Sequence, residues 1–169
     1  MRKTMAILAV LFLLGALFAG CGKSEQTYVT EDGKVTVKKN VSPGGGGTVE
    51  IETEDGGKAT ITTDTKKTIT AAELGAPVYP GAVVEGTSKS ETPQGKMEHT
   101  ALVTPDSFEK VAAFYKSGLK NPRNTHSATY DDTQSAVFVM GDDKASLTVT
   151  ITATKGEKQT NIVVMKMNR

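Results

Sequence analysis

The sequence predicts an α+β fold, an antiparallel sheet packed by one amphipathic helix and preceded by a small β-hairpin repeat region. Three observations carry this. Ala145, Leu147, Val149, Ile151 and Ala153 alternate with Ser146, Thr148, Thr150, Thr152 and Thr154. That period of two describes a strand with one buried face and one hydroxyl-lined face. Phe108, Val111, Ala112, Tyr115 and Leu119 recur at helical spacing and form one apolar stripe. Upstream, two Glu-Asp-Gly turns each separate a pair of alternating segments, a strong short-range hairpin signal.

In chain order, residues 21–27 are polar and read as a tether. Tyr28 to Thr30 and Val35 to Lys38 flank the first turn. Ser42-Pro43 and the glycines Gly44 to Gly47 read as a flexible break. Thr48 to Thr53 and Ala59 to Thr63 flank the second turn. Thr30-Glu31-Asp32-Gly33-Lys34-Val35-Thr36-Val37 matches Thr53-Glu54-Asp55-Gly56-Gly57-Lys58-Ala59-Thr60-Ile61 with one glycine inserted, an internal duplication. The repeat region, 28–70, carries too few apolar residues to bury much alone. It should lean on another element or pair edge to edge in a thin sheet.

The main domain is expected over 71–169. Ala71 to Gly75 suits one helical turn. Pro77 and Pro80 favour extended backbone around Val78-Tyr79, and Pro80-Gly81 is a turn signal. Strands are predicted over Val83 to Ser88 and Lys96 to Val103, with a turn at Glu91 to Gly95. Thr104 reads as a helix N-cap with Pro105 at the first position, and Asp106 and Glu109 suit the positive end of the dipole. Gly118 should end the helix in left-handed geometry, with Asn121-Pro122 as the stop. Strands are expected at Ser127 to Tyr130, Gln134 to Met140, Ala145 to Ala153 and Thr160 to Met167. The first two are either a pair or one interrupted strand. The order β-β-α-β-β-β-β is that of a two-layer sandwich.

The N-terminus has the make-up of a secretory signal peptide over 1–20. Arg2 and Lys3 precede an apolar run from Met5 to Phe18, and small residues lead to the single cysteine, Cys21. Phe18-Ala19-Gly20-Cys21 resembles the lipobox of bacterial lipoproteins, with Phe18 where that family usually has Leu. The resemblance implies cleavage before Cys21 and acylation of its sulfur, so that the lipid membrane is a partner through acylated Cys21. Gly22 after the cysteine allows outer-membrane delivery if the source has two membranes. An uncleaved anchor and an ordinary secretory signal are the competing readings. Gly15, Gly20 and Gly22 weaken the anchor, and a lone cysteine has no disulfide partner within the chain. The main domain resembles a group of uncharacterised bacterial lipoproteins. The shared features are Tyr79-Pro80-Gly81-Ala82 and a helix like the one from Thr104 to Tyr115, within Pro77 to Met167. No assigned activity comes with that resemblance.

Composition narrows the functions. The formal net charge is +1, and losing Arg2 and Lys3 with the signal peptide takes it to −1. No basic face is available for nucleic acid or anionic headgroups. Gly-x-Ser-x-Gly, His-Glu-x-x-His and Walker-type motifs are missing from the sequence. The acidic pairs Glu31/Asp32, Glu54/Asp55, Asp131/Asp132 and Asp142/Asp143 fall in turns and lack calcium-loop spacing. His126 is expected in a solvated loop. Met97 and His99 share a strand face, as do Met165 and Met167. They make a copper site conceivable only if the last strand lies beside theirs. The leading expectation is a non-enzymatic lipoprotein, a binding or interaction module of the cell envelope with an unidentified partner, no cofactor and no metal. Its rivals are an envelope enzyme and a copper or haem accessory protein using His99 and Met97.

Overall fold

The computed structural model describes residues 22–30, 33–42, 46–63 and 68–169. The expected signal segment, Cys21, the Glu31/Asp32 pair and residues 43–45 of the glycine break lie outside the described residues.

Ten strands form one antiparallel sheet. β1 (Gly22–Thr30), β2 (Gly33–Val41), β3 (Gly47–Thr53) and β4 (Lys58–Thr63) make up the hairpin region. α1 (Ala71–Leu74), β5 (Val83–Thr92), β6 (Gly95–Thr104) and α2 (Phe108–Gly118) follow. The chain ends with β7 (Asn124–Tyr130), β8 (Thr133–Gly141), β9 (Ala145–Thr154) and β10 (Thr160–Asn168). The sheet order is β1-β2-β3-β4-β5-β6-β10-β9-β8-β7. The chain steps along the sheet to β6, leaves through α2 and restarts at the far edge with β7. It then works back until β10 closes against β6. The fold is therefore a sheet with a helix laid on it, dominated by the sheet.

The repeat region pairs edge to edge. Lys58 to Thr62 of β4 lie opposite Glu91 to Thr87 of β5, which joins the hairpins to the main sheet. The expected tether is strand from Gly22 onward, with Glu25 opposite Lys38 and Thr27 opposite Thr36. Backbone pairing orders this polar segment although all but Thr30 of β1 is exposed. Gly47, expected in the break, opens β3 opposite Val41. The duplicated turns share a device. The Thr30 hydroxyl donates to the Gly33 carbonyl at 2.9 Å, and the Thr53 hydroxyl to the Gly57 carbonyl at 3.1 Å. The β5–β6 hairpin repeats it between Thr92 and Gly95, at 3.3 Å. Gly95 is obligatory there, since a Cβ would stand 2.3 Å from the Asn168 carbonyl oxygen.

The helix starts later than its sequence suggests. Thr104 stays in β6, where it pairs with Thr160 of β10. Ser107 is the N-cap, and its hydroxyl accepts from the Lys110 N–H at 3.5 Å. At the other end Gly118 is not the left-handed residue. Leu119 leaves the helix extended (φ −85°, ψ 131°) and buries its side chain, and Asn121 takes the positive φ of 49°. α1 is one turn with a full capping box between Thr70 and Glu73.

α2 lies across β8 and β9. Val111, Tyr115 and Leu119 meet Leu102, Ala136, Phe138, Val149, Ile151, Ile162 and Val164 in one core, which Leu74, Ala76, Tyr79 and Ile69 extend. Tyr115 is fully buried, while Phe108, the first residue of the expected apolar stripe, is only half-buried at the rim. β7 and β8 are a strand pair, and His126 lies in β7 opposite Val137 instead of in a loop. Its Ser127-to-Tyr130 strand starts earlier because Arg123 and Asn124 follow Val139 into the ladder.

Candidate functional site

Tyr79 is the keystone of one site. The turn after it closes with the Ala82 N–H donating to the Tyr79 carbonyl at 3.1 Å, and Gly81 takes φ 76°. That turn sends the Tyr79 ring, 4% exposed, under the start of α2. The ring meets Phe114 edge to face at 5.1 Å, and its hydroxyl donates to Asp106 Oδ2 at 2.6 Å. Lys110 Nζ holds the other carboxylate oxygen at 3.0 Å. The Thr160 hydroxyl donates to the Asp106 carbonyl at 2.7 Å, and the Asp106 N–H donates to the Thr104 hydroxyl at 3.3 Å. Five residues from four parts of the chain thus fix the loop that precedes α2.

The electrostatics follow from this geometry. The Tyr79 hydrogen bond, and then Lys110, hold the Asp106 carboxyl below its usual range. The same bond, with burial, pushes the Tyr79 phenol up to about 12. Glu109 is held low by its own backbone N–H, then by Gln134 and Ser107; Gln134 Nε2 donates to it at 3.2 Å.

Above this loop opens a cleft of about 610 Å³. Its walls are the start of α2, the β7–β8 turn with Asp131 and Asp132, and the β9–β10 turn with Lys155, Glu157 and Lys158. The two turns are stapled together, with the Lys155 N–H donating to the Asp132 carbonyl at 2.7 Å. The cleft is polar and of mixed charge. Beneath α2, by contrast, Val111, Tyr115, Leu102, Val149, Ile151, Ile162 and Val164 fill the space between helix and sheet, none more than 2% exposed.

Of the sequence-selected residues, Asp131 and Asp132 line this cleft, and the others fall elsewhere. Asp142 caps its own turn, its carboxylate accepting from the N–H groups of Lys144 and Ala145 at 2.8 and 2.9 Å, which hold it low. Asp55 accepts from the Thr53 hydroxyl at 2.5 Å, and Glu54 Oε2 accepts from the Lys34 N–H at 2.9 Å. Asp55 serves its own turn, while Glu54 ties that turn to the start of β2. Met97 and His99 do share a face, and β10 does lie beside β6. Cys21 lies outside the described residues. The Tyr79–Asp106 pair was not singled out by sequence reasoning. Its one signal was the Tyr-Pro-Gly-Ala motif, which positions a tyrosine without naming its partner 27 residues on.

The sequence model of a family described as START domain-like matches residues 83–162, from β5 into β10. This stretch is similar to that family. No curated protein and no solved structure matches the chain.

Proposed function

We propose that the chain is a lipid-anchored envelope lipoprotein whose START-like unit is a non-enzymatic binding module. The observation that carries the binding reading is the cleft over the start of α2, on a floor that Tyr79, Asp106 and Thr160 hold rigid. The occupant the lining fits is a small polar ligand or a polar loop of a partner protein. A bulky apolar ligand beneath α2 would have to displace the packed core. Asp106 and Glu109 are held as carboxylates, whereas a general acid works best with its proton poised near neutral pH. This supports binding over catalysis.

The lipobox-like sequence before Cys21 supports the anchor, since two or more acyl chains give firm membrane attachment. Cys21→Ala should leave a precursor that takes up no labelled palmitate; normal labelling and maturation of the variant would overturn the anchor. The cleft is tested by affinity capture from the native envelope, wild type against Glu109→Arg. A component retained by the wild type and lost by the variant supports the module, and identical sets overturn it.

A further inference from the structure

The sheet face away from α2 carries an unusual cluster where β6 meets β10. Met165 lies opposite His99 and Met167 opposite Met97. Directly opposed side chains share a face, with Cβ atoms about 4.5–5.5 Å apart. His99 Nε2 is already 3.2 Å from Met97 Sδ. The chain has six methionines, and Met1 and Met5 belong to the signal segment. Three of the other four stand in this patch. They are not core filler: neither apolar core includes them, and Met97 is 38% exposed. Met140, the fourth, packs against the main core. The residues level with the cluster on β5 and β9 are Ser88, Ser90, Thr148 and Ser146.

We propose that Met97, His99, Met165 and Met167 form a copper(I) site. Thioethers are soft, neutral and unbranched, so they select Cu(I) over harder divalent ions and can swing onto one metal. An imidazole adds a stronger nitrogen donor. No thiolate is required, which suits a compartment where thiols oxidise. Partial exposure lets the ion enter and leave, as a carrier requires. The site is on the opposite face from α2 and stands whether or not the cleft binds anything.

The test uses the full chain in detergent, with Cys21→Ser in every arm so that no thiol competes. Cu(I) is titrated anaerobically against bicinchoninate. The expected result is one Cu(I) per chain, weakened by at least about tenfold in Met97→Leu, Met165→Leu and His99→Gln. Leucine nearly conserves the volume, so folding should survive. Ag(I) gives a readout that needs no variant, since it should shift the methyl NMR signals of Met97, Met165 and Met167 and leave that of Met140. Equal affinity in the wild type and a Met97→Leu/Met165→Leu double variant would overturn the site. So would failure of the wild type to compete for Cu(I), or unshifted methyl signals.

Discussion

β1–β4 and β5–β10 share one antiparallel ladder but not one core. In β5–β10, with α1 and α2, fifteen buried residues form a continuous apolar cluster. In β1–β4 the cluster is Val35, Val37 and Val49, with Ile51 half-buried against them. Backbone pairing is as regular in one region as in the other. The difference teaches that a ladder can be extended by hydrogen bonds alone while stability stays where apolar area is buried. A hydrogen bond nets about 0.5–1.5 kcal/mol, whereas one fully buried aliphatic side chain contributes about 1.5–3 kcal/mol. The outer strand β1 is polar over most of its length, with Lys23, Glu25 and Thr27 exposed, which disfavours pairing with other chains, and only its end exposes apolar surface, at Tyr28 and Val29.

Four substitutions can break or sharpen this comparison. The largest effect is expected at Ile151, fully buried under α2. Ile151→Ala should lower global stability by about 2–5 kcal/mol in urea denaturation. Next is Tyr115, whose buried hydroxyl has no well-formed hydrogen-bond partner among the described residues, only the Tyr79 backbone nearby, and whose burial pushes the phenol up to about 12. Tyr115→Phe removes that orphan group and should stabilise the fold by about 1–3 kcal/mol. A loss of stability instead would show that the hydroxyl is satisfied.

Tyr79→Phe should lower the denaturation midpoint at neutral pH by a smaller amount. The gap between wild type and variant depends on pH. Asp106 is depressed in the folded state, so its contribution is present above the ordinary value of 3.8 and is lost as pH falls through the folded one. Tyr79 is raised, so its contribution is present below 10 and is lost as pH rises towards about 12. The gap should close at both extremes; a constant gap from acid to alkaline pH would rule out the Tyr79–Asp106 bond as its source. The smallest global effect is expected at Val49. Val49→Ala should leave the main unfolding transition within about 0.5 kcal/mol while speeding amide exchange in β2 and β3. A cooperative drop of the whole protein would merge the two regions.

Much of this fold was legible in the sequence because its signals are local. The alternation in Leu147, Val149 and Ile151 and the stripe from Val111 to Leu119 each place a buried face from neighbouring residues alone. The two hairpins were legible for the same reason, although Gly33, expected in the first turn, opens β2. What was not legible depends on distant partners. Polar Lys23 to Thr27 looks like a tether until β2 supplies its hydrogen bonds. Thr104 looks like a cap until Thr160 pairs with it across β10, so the cap falls to Ser107. The Tyr79–Asp106 pair needs the chain to turn at Gly81 and come back through two strands. The Met97–His99 patch was visible as two pairs, and only the β6–β10 register joins them.

Native-state hydrogen exchange on the full chain tests the central claim most directly, because it reads every amide of the shared ladder at once. The slowest amides should lie in β6, β9, β10 and α2, exchanging only by global unfolding, with β1 to β4 opening at distinctly lower free energy. Equal protection from β2 through β10 would contradict the account, for it would mean that one cooperative core spans the whole sheet.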